Sequence, residues 1–309
     1  MQTKYLIIGN SAGGIGAAEA IREMDKEGTL TIVSDESYPA YSRPLISKYL
    51  TGERSFEKML YRPTEFYVQN NIIFLPGKKV THLELNHRTA QLEDGEHIVY
   101  EKLLLAVGGK PIVPRMKGNT RRGVVTFTTL DDAKAVDKFL DEANKVVVTG
   151  GGLIGVSATE ALVKRGVDVT VIEMKERILN TILDEQASLI AEGVLKQAGV
   201  NIVTGHIVAE IEGDVMVEGV VLDNGDEIPC DLVVVAIGVS PRSELALNAG
   251  IKVNRGIVVN HHMTTSHPDV YSCGDVAEAY DFVYGENRLT PIWPNAYIGG
   301  RIAGYNMVG

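Results

Sequence analysis

Two glycine-rich segments contain the residues of this chain whose types and spacing most clearly indicate a binding site. They are residues 9–16 and 150–155, and each follows an apolar, β-branched run and precedes a segment of helical character. Glycines allow the backbone to turn sharply and to approach a pyrophosphate, whose charge is stabilised by the N-terminus of the following helix. We therefore expect two dinucleotide sites in one chain, an arrangement typical of proteins that pass electrons between two dinucleotides.

The first segment has Gly9 and Gly14 at the first and third positions of the fingerprint and Ser11 at the middle position. A serine still permits a close approach of the backbone and adds a hydroxyl that can bind phosphate. Asp35 follows the apolar run 30–34, where a carboxylate would accept hydrogen bonds from ribose hydroxyls. The predicted contacts of this site are Gly9, Ser11, Ala12, Gly13, Gly14 and Asp35.

The second segment matches the fingerprint without substitution at Gly150, Gly152 and Gly155. Glu173 ends the next apolar run, close to the spacing of ~20 residues at which an acid binds the ribose. A carboxylate at this position accepts both ribose hydroxyls and repels a 2′-phosphate, so we expect NADH to be preferred over NADPH. The predicted contacts of this site are Gly152, Leu153, Ile154, Gly155 and Glu173.

The elements that position these two sites occur in the same order, so the chain is predicted to be internally duplicated. Residues 4–36 indicate a strand, a glycine turn, a helix from Ala17 to about Met24, a second strand and an acid; residues 145–173 repeat that order. The sequence predicts the α/β class, with two doubly wound (Rossmann-like) nucleotide-binding domains, each with a small antiparallel β meander. Shorter β segments are expected near 72–75, 78–85, 88–92, 97–105, 201–211, 214–222 and 226–237.

Composition argues against several other classes of protein. The net charge of −10 disfavours nucleic-acid binding, and no apolar run reaches the ~20 residues that span a bilayer. The first strand begins almost at the N-terminus, so no signal peptide is expected. Cys230 and Cys273 are the two cysteines and lie far apart, which favours a reducing cytoplasm over a disulfide framework. His261 and His262 have no further ligand pattern around them, and we expect no metal site.

Six segments together resemble the FAD-dependent pyridine nucleotide-disulfide oxidoreductase superfamily. They are the two glycine fingerprints and residues 106–108, 236–238, 271–277 and 293–304. The resemblance implies FAD in the first site and NAD in the second. It also implies that an NAD-binding domain, 116–244, is inserted into a discontinuous FAD-binding domain, 1–115 and 245–309. The family's C-terminal interface domain is apparently absent, and a homodimer is expected if such a domain exists.

The resemblance also assigns cofactor contacts outside the fingerprints. Asp275 is similar to the family aspartate that binds the ribityl and pyrophosphate region of FAD. Asn295 and Ala296 resemble the segment that opens a helix whose positive N-terminus faces the pyrimidine edge of the flavin. The further contacts implied in this way are Val80, Ala106, Val107, Gly108, Gly238, Gly274, Asp275, Asn295 and Ala296.

The segment 38–50 distinguishes branches of the superfamily. Disulfide reductases, peroxidases and coenzyme A disulfide reductases carry redox cysteines near the position of Pro44, and this segment has none. It resembles instead the Tyr-x-Arg-Pro-x-x-Ser-Lys pattern of rubredoxin, ferredoxin and nitrite-reductase-type flavin reductases. Arg43 and Lys48 are then implied to line the isoalloxazine ring, with Lys48 near N5, and they are the candidate catalytic residues. Pro44 is implied as a further cofactor contact.

One position departs from the family pattern. The family often has a glutamate that pairs with the lysine two residues after the last glycine of the NAD fingerprint, and here Ser157 stands at that position. Glu160 follows one helical turn later and is placed to replace it.

The function implied is that of an FAD-dependent NADH oxidoreductase. Hydride passes from NADH to flavin N5, and electrons then pass to an external acceptor such as rubredoxin, ferredoxin or a partner reductase subunit. Three alternatives remain open: an NADH oxidase that reduces oxygen or quinone, a coenzyme A disulfide or thiol reductase, and a flavin-bound interaction subunit with incidental redox activity.

Overall fold

A computed structural model describes residues 1–309 as two compact units. Unit 1 comprises Met1–Ser42, Leu60–Lys110 and Ser240–Gly309, and unit 2 comprises Arg43–Met59 and Pro111–Val239. The predicted bounds of the two nucleotide-binding domains stay predictions, and this division groups one segment differently. The segment Arg43–Met59 packs with unit 2, whereas the sequence analysis placed it in the first domain. The assignment of FAD to one unit and NAD to the other stays a prediction.

The chain forms twenty β-strands. In chain order they are β1 (Gln2–Ile8), β2 (Leu30–Val33), β3 (Ile72–Leu75), β4 (Val80–Glu84), β5 (Thr89–Leu92), β6 (His97–Leu105), β7 (Gly109–Pro111), β8 (Val124–Thr126), β9 (Lys145–Thr149), β10 (Asp168–Glu173), β11 (Asn201–Thr204), β12 (Val208–Glu212), β13 (Gly219–Leu222), β14 (Glu227–Pro229), β15 (Leu232–Val235), β16 (Val239–Pro241), β17 (Ile257–Val258), β18 (Val270–Ser272), β19 (Ala277–Asp281) and β20 (Glu286–Arg288).

Eight α-helices alternate with the strands. They are α1 (Ala12–Met24), α2 (Ile46–Leu50), α3 (Phe66–Gln69), α4 (Leu130–Phe139), α5 (Leu153–Lys164), α6 (Glu185–Gln197), α7 (Glu244–Asn248) and α8 (Trp293–Val308). Short 3-10 turns cover Arg43–Leu45, Glu57–Met59 and Gly274–Val276. No helix combines the length and the apolar character needed to cross a membrane.

Unit 1 is built on a sheet in the order β3-β2-β1-β6-β5-β4, with β18 on the free side of the second half of β6. The strands β3, β2, β1, β6 and β18 are parallel, and β4, β5 and β6 form an antiparallel meander. Alternate residues of β1 enter two different buried clusters, so both faces of the sheet are covered. This explains why the second half of β1, residues 5–8, is apolar at every position rather than at every second one.

Unit 2 repeats this plan. Its parallel sheet has the order β11-β10-β9-β15-β8, and β12, β13 and β14 form a separate antiparallel meander. In each unit the strand that precedes the glycine turn lies at the centre of the sheet. The predicted duplication, the α/β class and the two meanders are therefore confirmed.

The structure corrects some of the predicted element boundaries. Helix α1 begins at Ala12 rather than Ala17, because the glycines of the fingerprint form its first turns. The β segment expected at 201–211 is two strands, β11 and β12, since Gly205 adopts a left-handed φ of 76° between them. The segment expected at 226–237 is likewise interrupted, between β14 and β15.

Helices α1 and α8 of unit 1 cross in close contact because small residues line the crossing. A Cβ added to Gly304 would lie 2.5 Å from the carbonyl oxygen of Ala17 and 2.9 Å from the Cβ of Ala20. A Cβ added to Gly16 would lie 2.5 Å from the carbonyl oxygen of Tyr297. No side chain fits between the two backbones, so these glycines set the distance between the helices.

We predict that Gly304→Ala lowers the free energy of unfolding by about 1–3 kcal/mol, because the added methyl group overpacks the crossing. Gly193→Ala is the matched control: Gly193 also lies inside a helix, but a Cβ there meets nothing within 4 Å. The control should gain about 0.5–1 kcal/mol from the better helix propensity of alanine. Urea denaturation of dilute protein, followed by circular dichroism, measures both changes. Equal stability of the two variants would contradict the crossing as described.

Candidate functional site

The first fingerprint forms a tight turn between β1 and α1. Gly9 has a left-handed φ of 119°, and a Cβ there would overlap the carbonyl oxygen of Ala106. A Cβ on Gly14 would in turn overlap the carbonyl oxygen of Gly9. Ser11 is the N-cap of α1, but its side chain makes no capping hydrogen bond. The hydroxyl and the N–H groups of the first turn are therefore available to an anion.

Other residues predicted to contact the cofactor are distant in sequence but lie beside the same turn. A Cβ added to Gly13 would lie 2.8 Å from Sγ of Cys273 and 3.4 Å from the carbonyl oxygen of Ala296. Gly274 follows Cys273 and lies near the Cβ of Ala296. The structure thus brings together the first fingerprint, the Ala106 segment, the Gly274 segment and the start of α8. Val80 is instead a buried side chain at the start of β4, in the core cluster on one face of the sheet.

Asp35 follows β2 and forms an ion pair that the sequence did not predict. Its Oδ2 lies 2.7 Å from Nη1 of Arg242, and the backbone N–H of Arg242 donates to the carbonyl oxygen of Gly108 at 3.0 Å. The neighbouring Glu36 accepts a hydrogen bond from the hydroxyl of Tyr41 at 2.6 Å. The signal that could have found Arg242 is its place just after the second Ala-x-Gly phrase.

A second contact that the sequence did not predict connects Asn10 of the first fingerprint to the side chain of Tyr67. The buried Tyr67 hydroxyl donates to Oδ1 of Asn10 at 2.9 Å and accepts from the N–H of Ala40 at 2.9 Å. Asn10 also donates to the carbonyl oxygen of Tyr38 at 3.3 Å. Burial raises the pKa of Tyr67, so its hydroxyl keeps the proton that Asn10 accepts. These bonds tie the turn to the segment before Tyr41.

The second fingerprint, in unit 2, has the same construction. Gly150 has a φ of 102°, and a Cβ there would lie 2.5 Å from the carbonyl oxygen of Ala236. A Cβ on Gly152 meets nothing within 4 Å, so packing within the protein does not require a glycine at this position. Leu153, the first residue of α5, is 63% exposed. An open position at a helix N-terminus fits the close approach of a phosphate group.

Glu173 is placed beside this turn and does more than the sequence predicted. Its Oε2 accepts from the N–H of Gly151 at 2.6 Å, and its Oε1 accepts from the N–H of Lys175 at 2.8 Å. The side chain is buried. Because each oxygen has a further lone pair, the carboxylate can hold the turn and still accept from ribose. Gly238 lies after β15, where its carbonyl oxygen accepts from the N–H of Ile112 at 2.9 Å.

The N-termini of α1 and α5 carry no acidic residues, a feature they share with α2, α3 and α8. In contrast, α4 carries Asp131 and Asp132 in its first turn, and α6 carries Glu185. Acidic residues normally stabilise the positive end of a helix, so their absence from α1 and α5 suits helices whose N-termini bind phosphate. Both sites therefore fit a dinucleotide.

The candidate catalytic residues lie in the segment of unit 2 that includes α2. Arg43 and Pro44 form the 3-10 turn before α2, and Nη1 of Arg43 donates to the carbonyl oxygen of Thr128 at 3.3 Å. Helix α2 packs against α4 and α5. Arg165 follows α5 and donates to the carbonyl oxygen of Leu50 at 2.7 Å. These contacts explain why the segment belongs to unit 2.

Lys48 lies in a cluster of four charges, two positive and two negative. Its Nζ is 3.1 Å from Oε2 of Glu53 and 3.7 Å from Oε1 of Glu160. Lys164 binds the same two carboxylates, Glu160 at 2.9 Å and Glu53 at 3.0 Å. Glu160 thus reaches Lys48 as expected, but Glu53 is the nearer partner and was missed. The sequence feature that could have predicted this partner is an acid five residues after the lysine in the same short segment.

The pKa values of the cluster follow from these ion pairs. Hydrogen bonds from Lys164 and then Lys48 lower the pKa of Glu53 to about 2. A hydrogen bond from Lys164 is also the main cause that lowers the pKa of Glu160. The two carboxylates together raise the pKa of Lys164. All three groups are therefore charged at neutral pH, and Lys48 lies between two anions.

Comparison with known proteins identifies the family. Residues 3–300 match the family model described as pyridine nucleotide-disulphide oxidoreductase. The chain belongs to this family. Members depend on FAD and NAD(P)H, so the protein is an oxidoreductase and a flavoprotein.

Individual members of the family align along nearly the whole chain. It is 34% identical over 307 residues to the NADH-dependent phenylglyoxylate dehydrogenase subunit epsilon of Aromatoleum evansii, covering 99% of this chain and 73% of that protein. It is 33% identical over 282 residues to the rubredoxin-NAD(+) reductase of Pseudomonas putida, covering 91% and 73%. The crystal structure of the covalent putidaredoxin reductase-putidaredoxin complex matches with a TM-score of 0.93 at 30% identity, covering 98% of this chain and 75% of that one.

The thiols of this family member are placed where they cannot react. Cys230 and Cys273 are free and buried. Burial raises the pKa of each thiol to about 12, so the reactive thiolate is scarce at neutral pH. Cys273 instead packs against Gly13 as a small apolar side chain.

We predict that neither cysteine of the native protein reacts with Ellman's reagent at pH 8, because both thiols are buried and protonated. Both should react once the protein is unfolded in guanidinium chloride. Measuring the thiol release at 412 nm before and after unfolding tests this. Rapid reaction of one native thiol would reopen a thiol mechanism, and a Cys273→Ser variant would identify which thiol reacted.

Proposed function

We propose that the protein oxidises NADH and passes the electrons through FAD to a separate electron-carrier protein of the rubredoxin or ferredoxin type, or to a partner reductase subunit. The observation that carries this proposal is the pair of glycine fingerprint turns together with a candidate active segment that has lysine and arginine but no thiol. The names of two similar proteins, a rubredoxin-NAD(+) reductase and a putidaredoxin reductase, support it.

When bound, FAD supplies the redox chemistry by accepting hydride at N5 and releasing electrons singly or in pairs. The residues of this chain bind and orient the two dinucleotides. The N-termini of α1 and α5 bind the pyrophosphates of the two dinucleotides, and the Ser11 hydroxyl adds a donor in the first site. Asp35, held by Arg242, accepts from the ribose in the first site. Glu173 has this role in the second site while it holds the turn.

Lys48 is proposed to place a positive charge beside the reacting ring. A half-buried lysine on a short helix still has many rotamers, and the carboxylates of Glu53 and Glu160 restrict them. Lys164 neutralises the second charge of this pair, so the cluster has no net charge at neutral pH. The cluster thus restricts the position of the Lys48 ammonium group, and no single carboxylate is paired with Lys48 alone.

NADH is proposed as the preferred nucleotide, because the buried carboxylate of Glu173 would repel a 2′-phosphate. The cytoplasm is proposed as the compartment, because two unpaired thiols suit a reducing environment.

The first test is an anaerobic titration of the purified flavoprotein with NADH, following the flavin band near ~450 nm. We expect one equivalent of NADH to bleach one equivalent of flavin. In steady-state turnover, NADPH should have a much lower kcat/KM than NADH. Addition of oxidised rubredoxin or ferredoxin should restore the band. Oxidation of NADH in air at the same rate without any protein acceptor would favour an oxidase instead. A flavin that does not bleach would rule out the reductase and favour an interaction subunit.

We predict that Glu53→Gln slows the reduction of flavin by NADH by about threefold, because Lys48 loses its nearer partner while exposed ion pairs contribute only modestly. Lys48→Met should slow it by about tenfold or more, since it removes the charge itself. Stopped-flow absorbance at saturating NADH measures both rate constants. Glu227→Gln, an exposed acid outside the cluster, is the control and should behave as wild type. If Glu53→Gln also behaves as wild type, Glu53 has no positioning role.

A further inference from the structure

The segment 174–183, which follows β10 in unit 2, contacts the second fingerprint at Gly151. The N–H of Leu179 donates to the carbonyl oxygen of Gly151 at 2.8 Å. The side chain of Ile178 fills the space beside the same residue, because a Cβ added to Gly151 would lie 2.6 Å from its Cγ2. Together with the bond from the Gly151 N–H to Glu173, these contacts fix both peptide groups of Gly151.

Leu179 makes this contact from a backbone conformation that leucine rarely adopts. Its φ is 52°, in the left-handed region, where the Cβ of an L-residue crowds the following carbonyl oxygen. The residue is buried, and its carbonyl oxygen accepts from the N–H groups of Ile182 and Leu183, both at 3.0 Å. Strained backbone persists where the surrounding structure specifies it, and it is common beside ligand sites. The strain at Leu179 therefore indicates that the bond to Gly151 is maintained at a cost.

A buried acid on α6 holds the segment in this position. Oε1 of Glu192 accepts from the N–H of Ile178 at 3.3 Å, and Oε2 lies 3.4 Å from Nζ of Lys196. Glu192 is only 7% exposed, and a buried carboxylate is unfavourable unless its oxygens are bonded. Its bond to Ile178 connects it, through Leu179, to Gly151 of the fingerprint.

The bond to Gly151 determines the direction of the next N–H group. In a planar trans peptide the C=O and the N–H point in opposite directions. With the carbonyl oxygen of Gly151 directed at Leu179, the N–H of Gly152 is directed away from the segment. Gly152 is the N-cap of α5, and its N–H has no acceptor in the chain. An N–H group that is fixed and unpaired at a helix N-terminus is placed to bind an anion.

The first fingerprint is fixed differently at the corresponding position. Asn10 stands there in place of Gly151, and its side chain makes the contacts, with the hydroxyl of Tyr67 and with the carbonyl oxygen of Tyr38. A glycine has no side chain for this purpose, so its backbone must be held by groups from elsewhere in the chain. In unit 2 the segment after β10 supplies these groups.

We propose that Leu179 and Glu192 are positioning residues for NADH. Leu179 sets the orientation of the peptide between Gly151 and Gly152. Glu192 maintains the strained conformation of the segment through its bond to Ile178. The inference rests on the proposed function, because it requires NADH to bind at the second fingerprint. Both residues act before hydride transfer, so their loss should weaken NADH binding and leave the limiting rate of flavin reduction unchanged.

Stopped-flow reduction of the flavin-loaded protein over a range of NADH concentrations separates these two quantities. Glu192→Met removes the acceptor of the Ile178 N–H with little change in side-chain volume, and it should raise the Kd for NADH by about fivefold. Glu192→Gln keeps an oxygen at that position and should bind NADH like the wild type. The limiting rate of reduction should be the same in all three proteins. A Kd for Glu192→Met equal to that of the wild type would overturn the proposal.

Glu278→Met is the matched control. Glu278 is also buried and also accepts from backbone N–H groups, those of Arg255 and Gly256, but it lies in unit 1. This variant should lose stability without a change in the Kd for NADH. An equal rise in Kd in the control would overturn the specific role of Glu192. A wild type that binds no NADH would overturn the proposed function together with this inference, whereas a wild type that binds NADH and variants that bind it equally well would overturn this inference alone.

A pair of substitutions tests the contact at Gly151 itself. The φ of Gly151 is not left-handed, so only neighbouring groups oppose a side chain there. Gly151→Ala should raise the Kd for NADH by about tenfold or more, because the new Cβ overlaps Cγ2 of Ile178 and displaces the segment. Adding Ile178→Ala removes that Cγ2 and should lower the Kd again. Failure of the double variant to recover, with circular dichroism showing that it is folded, would overturn the proposed positioning.

Discussion

Both nucleotide turns depend on one contact, in which a glycine backbone touches the carbonyl group of an alanine at the end of the adjacent strand. Gly9 meets Ala106 in unit 1, and Gly150 meets Ala236 in unit 2. In each case an added Cβ would lie within 2.5 Å of the carbonyl oxygen, and the glycine also adopts a left-handed φ. The strand that leads to this alanine, β6 in unit 1 and β15 in unit 2, therefore determines where the turn lies. The third glycine of each fingerprint lies against the carbonyl oxygen of the first, and this contact fixes the direction of the helix N-terminus.

The electrostatics of the two sites follow from that geometry. Neither α1 nor α5 has a side-chain capping hydrogen bond or an acid in its first turn to accept from the first N–H groups. The carboxylates lie one strand away instead, at Asp35 and Glu173. Each is held by a partner within its own unit, Arg242 in the first and the backbone of Gly151 in the second. Each fingerprint turn is therefore followed, after the next strand, by a carboxylate, which is the arrangement that the proposed dinucleotide sites need.

The sequence predicts the parts of the structure that local rules control. Apolar β-branched runs predict the strands, and the fingerprints predict turns and helices whose glycines are explained by close backbone contacts. Tertiary contacts determine what was missed. Arg242 reaches Asp35 across 207 positions of sequence, and Tyr67 reaches Asn10 across 57. Neither pair has a periodicity or a spacing rule, because the sheet order brings them together and not the local sequence.

The segment Arg43–Met59 shows the same limit at the candidate catalytic site. A family pattern finds Lys48, but the partner of a charged side chain depends on which helix the segment packs against. Since α2 packs on α4 and α5, the acids available to Lys48 are Glu160 on α5 and Glu53 in its own segment. The change from the family glutamate to Ser157 does not leave Lys48 unpaired. It moves the negative charge one turn along α5, where Lys164 shares it and Glu53 supplies the shorter bond.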